Sequence, residues 1–328
     1  SDEWWAATCE TLREVSEGRE PSSIRAVGIT HQRESFVCLD EDGHPLRPAI
    51  LWNDDRSTAQ VKSLGSERIH ELTGRPPSTA PTFYKQAWLR EHEPETLERA
   101  VRVAEVHAFL AERLTGEWAT SWASADPTGL VDVRTFQYSD ELLQPAGVRR
   151  DQLPALVAPG SIIGGVTGGA STQSGLPAGT PVVAGSGDGQ SAGLGAAVCA
   201  SGVAYLNLGT AVTQGVHADR YMTGPAYRSM ASPIAGRWTL ESALASGVHS
   251  LDWFRASILG DTSEAALARL TAEAAEVPAG AQGLLFLPYL IRAEAPHWDP
   301  DARGAWVGLR DHHGLAPVSY THLRAHET

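Results

Sequence analysis

Apolar positions along the first third of the chain follow two periods, one typical of helices and the other typical of strands. Apolar residues three and four apart predict amphipathic helices over 3–16, 58–72, 84–92 and 106–114. Short apolar or alternating runs predict strands over 24–30, 35–40 and 48–52. The dipeptide Asp42-Gly43, between the second and third of these strands, favours a hairpin turn.

The second half of the chain also alternates strands with helices. Residues 160–179 are rich in Gly, Ser and Thr, which predicts loops and short strands. A strand over 181–185 leads into a glycine-rich segment, and a helix of small residues is predicted over 191–198. Further strands are predicted from Ala204 and over 238–240 and 284–287, and further helices over 247–259 and 263–275. We place a domain boundary between Val198 and Val203.

The composition is that of a globular protein long enough for two domains. The 328 residues are 42% hydrophobic and 20% charged, with a formal net charge of -13. This negative charge disfavours nucleic acid and anionic membranes as partners, and no apolar run has the length of a membrane span. The N-terminal residues lack the features of a signal peptide. Three scattered cysteines form neither a disulfide framework nor a metal motif, which favours a cytoplasmic protein.

A single carboxylate stands in the glycine-rich segment Gly185-Ser-Gly-Asp-Gly189, directly after a predicted strand. Glycines on both sides leave Asp188 accessible to a substrate. An aspartate in such a place is often only a turn or helix-cap residue. It is also what a reaction at a hydroxyl group needs, because a carboxylate can take the proton as the oxygen attacks phosphorus.

Two other segments carry candidate binding groups. The strand from Ala204 ends in Gly209-Thr210, a turn whose N–H groups and hydroxyl can face a phosphate or can be purely structural. The segment His31-Gln-Arg-Glu34 follows the first strand and offers donors and acceptors for neighbouring hydroxyls, or alternatively a surface ion pair. Trp52 and Asp54 could add an apolar wall and another acceptor. Neither a P-loop nor a dinucleotide-binding fingerprint is present.

Several segments, in their order along the chain, resemble the FGGY family of carbohydrate kinases, which includes xylulokinases and glycerol kinases. The segments are 28–34, 39–54, Lys85-Gln-Ala-Trp-Leu89, Leu114-Thr-Gly-Glu117, Gly187-Asp-Gly189, Leu208-Gly-Thr210, Phe286-Leu-Pro-Tyr289 and 295–309. Each motif is weak alone, whereas their order and spacing are specific. The resemblance covers nearly all of residues 1–317.

The resemblance implies an α/β protein with the two-domain actin-like ATPase (ribonuclease H-like) fold, in which substrate and ATP bind between the domains. It implies an ATP-dependent carbohydrate kinase in which Asp188 is the general base and Gly209 and Thr210 lie near the ATP phosphates. The family also uses Mg²⁺, whose main ligand is expected in a segment before Ser1. The substrate-binding residues that it implies are Gln32, Arg33, Glu34, Trp52, Asp54 and Gly189.

The substrate implied by the resemblance is a small sugar. The segment Leu51-Trp-Asn-Asp54 and the motifs at 114–117 and 286–289 are similar to xylulokinases, so D-xylulose or a related ketose is the expected substrate. Gln32-Arg-Glu34 is more similar to glycerol kinases, which keeps glycerol or another polyol as an alternative. Ala80, which stands where glycerol kinases place a tyrosine, leaves room for a larger molecule. A non-catalytic sugar-binding regulator of the same fold is the competing class, although mere binding does not require Asp188.

The family pattern also predicts how the chain is divided. Residues 1–198 are expected to form the N-terminal domain without its first strands, and 203–317 part of the C-terminal domain. Residues 318–328 are similar to a translated sequencing adapter, and we excluded them from fold reasoning. A chain incomplete at both ends is expected to be inactive by itself. The sequence leaves the oligomeric state open, with a homodimer as a candidate.

Overall fold

The structure is a computed structural model that describes residues 2–323. The chain divides into two compact units. The first unit contains the chain up to Val203, together with Val216–Thr223 and Ser229–Leu240. The second unit contains Ala204–Gly215, Gly224–Arg228 and the chain from Glu241 onward.

The first unit is mixed α/β. Its helices are α1 (Asp2–Ser16), α2 (Thr58–Leu64), α3 (Glu67–Thr73), α4 (Thr82–His92), α5 (Pro94–Arg99), α6 (Val106–Thr115), α7 (Trp122–Ala125), α8 (Asp140–Ala146), α9 (Gly168–Ser174) and α10 (Asp188–Gly195). Short 3₁₀ turns lie at Pro21–Ser23, Asp126–Thr128 and Arg150–Gln152. Its strands are β1 (Val27–His31), β2 (Phe36–Leu39), β3 (Arg102–Glu105), β4 (Ala119–Ser121), β5 (Val131–Asp132), β6 (Gln137–Tyr138), β7 (Ala155–Val157), β8 (Ile162–Gly165) and β9 (Pro181–Gly187).

A three-stranded sheet with the order β1-β9-β8 is the framework of this unit. Strands β1 and β9 run parallel, and His31 is paired with Gly187 at their carboxyl ends. The two backbones approach so closely that a Cβ atom on Gly185 would lie 1.8 Å from the Ile29 carbonyl oxygen. Only glycine fits there without a shift of one strand, so this pairing explains the residue type at position 185.

Two hydrophobic clusters pack on the strands and helices of the first unit. One includes Phe36, Leu72, Phe83 and Leu89, all of which are buried, and draws on α3, α4 and β2. The other surrounds Phe109 on α6 and includes residues of β1, β9 and α9. Burial of these side chains is the main favourable contribution to folding, and it fixes α4 and α6 against the strands.

Most predicted elements are confirmed, and three are corrected. The strand predicted over 48–52 is wrong, because only Ile50 forms a bridge, to Phe36. Pro48 has no N–H to donate to a neighbouring strand. The helix predicted over 58–72 is two helices, interrupted at Gly65 and capped anew by Ser66, whose hydroxyl accepts the Ile69 N–H.

Residues 160–179, predicted to contain only loops and short strands, also contain helix α9. Thr167 caps this helix, and its hydroxyl accepts the Ala170 N–H at 3.2 Å. The helix begins with two consecutive glycines, Gly168 and Gly169. Because glycine has a low helix propensity, the sequence did not predict a helix here. Ala170 is buried in the cluster around Phe109, which supplies the tertiary packing that propensity lacks.

The later part of the chain adds six strands and three α-helices within the described residues. They are β10 (Ala204–Leu208), β11 (Val212–Ala218), β12 (Arg228–Ala231), β13 (Trp238–Leu244), α11 (Val248–Trp253), α12 (Glu264–Ala275), β14 (Leu285–Leu287), β15 (Ala305–Val307) and α13 (Leu315–Leu323). A π-helical segment, Phe254–Leu259, continues α11, and a 3₁₀ turn lies at Ala281–Gly283. The strand order of one sheet is β10-β11-β13-β12, and β14 pairs antiparallel with β15.

Helix α13 includes residues 318–323, which we had excluded from the fold on sequence grounds. The His322 ring is stacked on Phe254 and Phe286, with ring centroids 4.5 and 4.2 Å apart. Burial lowers the pKa of His322 to about 4. The adapter interpretation of 318–328 stays a prediction, and residues 324–328 lie outside the described residues.

No helix within the described part of the chain is both long enough and apolar enough to cross a lipid bilayer.

The close approach of β1 and β9 makes a first prediction. Gly185→Ala should lower the free energy of unfolding by at least about 2 kcal/mol, because the added methyl group displaces one strand. Gly28→Ala is the matched control on β1, since a Cβ atom there would meet nothing within 4 Å. That variant should be unchanged or more stable by roughly 0.5 kcal/mol. Urea unfolding checks both, and equal stability of the two variants would contradict the packing argument.

Candidate active site

Asp188 lies where β9 ends and α10 begins, and it is the first residue of that helix. Its Oδ1 atom accepts the Gly189 N–H at 2.8 Å and lies 3.2 Å from Nε of Arg33. The side chain is 63% exposed. The carboxylate is therefore oriented by a cation and a main-chain donor and is still accessible to a small molecule.

Arg33 reaches Asp188 because β1 and β9 are parallel neighbours in register. The carboxyl ends of parallel strands meet at one edge of the sheet, which is the usual place for ligand sites in such sheets. Gly187 makes the approach possible, since a Cβ atom there would lie 2.4 Å from Cγ of Arg33. Nη1 of Arg33 also contacts Sδ of Met230 at 3.0 Å. Glycine at position 187 thus makes room for the cation beside the carboxylate.

Glu34, predicted to bind the substrate, is buried in an ion-pair cluster. Nη1 of Arg75 donates to Glu34 Oε1 at 2.7 Å, and Nη2 of Arg75 donates to Asp126 Oδ1 at 3.1 Å. Asp126 Oδ2 accepts the Ala231 N–H at 2.6 Å. Burial raises the pKa of Asp126 to about 6, although Arg75 opposes the rise.

The backbone at Glu34 has φ of 62°, a left-handed conformation that is uncommon for residues other than glycine. Such a conformation persists only where the surroundings hold it. The ion pair with Arg75 is one such restraint. The Glu34 carboxylate is engaged by Arg75 in this structure, and its contact with the substrate stays a prediction.

Trp52 and Asp54 lie in the turn that follows the Ile50 bridge. The Trp52 side chain is exposed, and its main-chain N–H donates to Ser35 Oγ at 3.1 Å. Both carboxylate oxygens of Asp54 accept bonds from Arg56, at 2.8 and 2.7 Å. These bonds lower the pKa of the Asp54 carboxyl, so it is ionised at neutral pH.

A buried polar network supports the strand that carries Asp188. Nε2 of His107 accepts the Gly185 N–H at 3.0 Å, which places the ring proton on Nδ1. Nδ1 lies 3.1 Å from the Thr120 hydroxyl, and that hydroxyl donates to Glu105 at 2.5 Å. Burial lowers the pKa of His107 to about 3, so the ring is neutral and can accept the Gly185 bond. Ser121 donates to the Gly185 carbonyl oxygen.

The turn at Gly209 and Thr210 belongs to the second unit. The Gly209 and Thr210 carbonyl oxygens accept the N–H groups of Val248 and His249 at the start of α11, at 2.9 and 3.3 Å. The Gly209 N–H donates to the Ala211 carbonyl oxygen at 3.0 Å. Thr210 is exposed. Its hydroxyl, rather than the Gly209 N–H, is the accessible donor of this turn.

Direct contacts join some of the predicted site residues. Arg33 and Gly189 both contact Asp188, and Trp52 is linked to Arg33 through Ser35. Sequence reasoning missed Arg75 and the groups that support Gly185. No local motif could have found them, since their partners are 41 to 78 residues away along the chain.

A metal site can be examined only within the described residues. Over 2–323, no three or more His, Cys, Asp or Glu side chains form a group that could hold a metal ion. Asp188 has a cation beside it rather than further carboxylates. The residues described do not by themselves fit Mg²⁺.

The chain is similar to known carbohydrate kinases along its whole length. Residues 1–195 match the N-terminal domain, and residues 204–325 the C-terminal domain, of the FGGY family of carbohydrate kinases. The xylulose kinase of Escherichia coli strain K12 is 33% identical over 321 residues, which are 95% of this chain and 64% of that protein. The chain therefore spans less than two thirds of that relative's length.

Solved structures show the same similarity in three dimensions. The xylulose kinase of Rhodospirillum rubrum matches with a TM-score of 0.90 at 28% identity, over 99% of this chain and 67% of that one. The gluconate kinase of Lactobacillus acidophilus matches with a TM-score of 0.90 at 26% identity, over 97% and 65% of the two chains. The predicted fold class, the two-domain actin-like ATPase fold, is confirmed by these matches.

The neutral state of buried His107 predicts a pH dependence of stability. Below pH 6.5 the unfolded chain binds a proton on this histidine, whereas the folded chain does not until about pH 3. The free energy of unfolding should therefore fall by about 2 kcal/mol between pH 7 and pH 5 from this group alone. His107→Gln, whose amide oxygen can accept the Gly185 bond, should lose that part of the pH dependence.

The control is His44→Gln, because the His44 side chain is 71% exposed. That variant should keep the pH dependence of the wild type. Urea unfolding at pH 5 and pH 7 measures the difference. A His107→Gln protein with the full wild-type loss between these pH values would show that His107 is not held neutral.

Proposed function

Because the chain belongs to the FGGY family of carbohydrate kinases, we propose that its full-length product transfers the γ-phosphoryl group of ATP to a sugar hydroxyl. D-Xylulose or a related ketose is the proposed substrate, since the E. coli and R. rubrum relatives are both xylulose kinases. The observation that carries the reaction is the exposed Asp188 carboxylate, placed beside Arg33 at the carboxyl ends of two parallel strands.

In the proposed reaction Asp188 is the general base. The sugar hydroxyl oxygen attacks the γ-phosphorus of ATP, its proton passes to the Asp188 carboxylate, and the bond to the β,γ-bridging oxygen breaks to release ADP. A positioned base of this kind contributes about 10² to 10⁴ in rate. Arg33 orients the carboxylate and donates to the oxygens of the bound sugar.

The remaining site residues are proposed to bind the two substrates. Gln32 offers amide groups for sugar hydroxyls, and Asp54 offers its ionised carboxylate. Trp52 presents a partly exposed indole, which suits the apolar face of a sugar. In the second unit, the Gly209-Thr210 turn is proposed to lie against the ATP phosphates, with the Thr210 hydroxyl as a donor. Mg²⁺ bound with ATP would neutralise charge on the phosphates.

The two parts of the chain are proposed to bind different substrates. We propose that residues 1–198 form the sugar-binding domain and that 203–317 are the nucleotide-binding part. Gluconate is a second candidate substrate because of the similarity to the L. acidophilus gluconate kinase. Glycerol or another polyol is a third candidate. The segment Gln32-Arg-Glu34 is more similar to the corresponding segment of glycerol kinases than to that of xylulokinases.

The experiment that tests the proposal is an ADP-release assay on the full-length product of the gene. D-Xylulose, other ketoses, gluconate and glycerol are offered separately with ATP and Mg²⁺. ADP release with one sugar is expected, and Asp188→Asn should reduce kcat by at least about 10²-fold while the sugar still binds, because the amide cannot take the proton.

The control variant is Asp151→Asn, whose side chain is 74% exposed in a different part of the first unit. It should keep the wild-type kcat. Sugar binding without ADP release in the wild-type protein would favour a non-catalytic regulator. Full activity of Asp188→Asn would show that another group takes the proton.

A further inference from the structure

The ammonium group of Lys85 lies beside the segments that carry Glu34 and Trp52, two of the residues predicted to bind the sugar. Lys85 is on α4 and is fully buried. Its Nζ atom donates to four main-chain carbonyl oxygens: those of Ala80 at 2.7 Å, Leu51 at 2.8 Å, Glu34 at 3.2 Å and Trp52 at 3.2 Å.

The surroundings of this cation are unusual. A buried ammonium group is costly unless its charge is compensated, and the common compensation is a carboxylate in contact with it. Within the described residues, no carboxylate lies in ion-pair distance of Lys85 Nζ. The carbonyl oxygens replace water as hydrogen-bond acceptors of the ammonium group. Its three N–H groups are shared among four acceptors.

The arrangement of the four acceptors favours lysine over arginine at position 85. Of the 26 basic residues that are Lys or Arg, only Lys62 and Lys85 are lysines. Lys62 is exposed on α2, whereas Lys85 is buried. A guanidinium group is planar and presents its donors in a fixed fork, so it cannot direct them from one point to carbonyls on several sides. A compact ammonium group can.

Three of the four carbonyl groups belong to the two segments that carry the proposed sugar-binding side chains, and the fourth is that of Ala80. Glu34 lies in the segment 32–35, and Leu51 and Trp52 begin the segment 51–54. The bond from the Trp52 N–H to Ser35 Oγ is a second link between these segments. The left-handed backbone at Glu34 needs such restraints.

We propose that Lys85 is a positioning residue for the sugar, and that its ammonium group sets the separation of segments 32–35 and 51–54 and so determines sugar affinity. The proposal rests on the proposed function. Lys85 does not touch the reacting atoms in this role. Its loss should therefore raise KM for the sugar far more than it lowers kcat.

The charge state of Lys85 offers a readout that a merely structural role would not move. Burial lowers the pKa of Lys85 to about 8, with Glu34, Asp54 and Asp55 opposing the shift and Arg56 adding to it. The neutral amine keeps only two N–H donors and turns a lone pair toward a carbonyl oxygen, which is unfavourable. The contact should weaken, and KM should rise, as the pH passes 8.

The kinetic test compares Lys85→Met with Lys62→Met in the full-length product. At pH 7, Lys85→Met should raise KM for the sugar at least tenfold with less than a threefold change in kcat, whereas Lys62→Met should match the wild type. Between pH 7 and pH 9 the wild-type KM should rise severalfold, and that of Lys85→Met should stay flat. An unchanged KM in folded Lys85→Met, or an equal fall of kcat, would overturn the proposal.

A second test uses residues 1–328 and depends neither on turnover nor on a folded Lys85 variant. Because the chain has two lysines, a ¹⁵N-lysine sample gives two side-chain signals, and Lys62→Met assigns the remaining one to Lys85. The Lys85 signal should titrate near pH 8 and should shift when D-xylulose is added, whereas D-xylulose should leave the Lys62 signal unchanged. A Lys85 signal that ignores every bound sugar would overturn the proposal.

The two tests separate this inference from the proposed function. Sugar-dependent shifts of the Lys85 signal without ADP release would refute the kinase activity and keep the positioning role. ADP release would support the kinase activity. If the wild-type KM for the sugar did not change over the pH range in which Lys85 loses its proton, the positioning role would be refuted.

Discussion

The parallel pairing of β1 with β9 is the constraint on which the candidate site depends. It brings the backbone of Gly185 against the Ile29 carbonyl oxygen, a contact that excludes any side chain at position 185. The same register brings the ends of the two strands together, so that Arg33 and Asp188 emerge side by side. A shift of one residue would turn these side chains to opposite faces and separate them.

Buried polar groups hold this strand edge, and each of them avoids an uncompensated charge in a different way. His107 is neutral and accepts one N–H bond from β9. Arg75 is charged and is paired with Glu34 and Asp126. Lys85 is charged and is surrounded by carbonyl dipoles. These contacts restrain the backbone around the proposed site, while the side chains of Asp188 and Trp52 stay exposed.

The sequence predicted the strand-glycine-aspartate segment and the order of the elements because these depend on local spacing. It could not predict the role of Glu34, since its partner Arg75 is 41 residues away. Two predicted elements were too long. The strand over 48–52 is not formed, since Pro48 has no N–H to donate, and the helix over 58–72 is interrupted at Gly65. The role of Asp188 as general base stays a prediction that rests on the family resemblance, because an aspartate after a glycine has many structural uses.

The contacts of Lys85 with main-chain carbonyl oxygens do not depend on the side chains of the accepting residues. Each of its acceptors is a backbone oxygen, so the side chain at the accepting position can change without loss of the bond. Ala80 illustrates this: its small side chain leaves space, while its carbonyl oxygen holds the ammonium group at 2.7 Å. A larger residue at 80 or another side chain at 52 would alter the walls of the site and leave the separation of its segments unchanged. Under the proposed function, substrate range would be set by these side chains and the separation of the segments by the main-chain oxygens of the same residues.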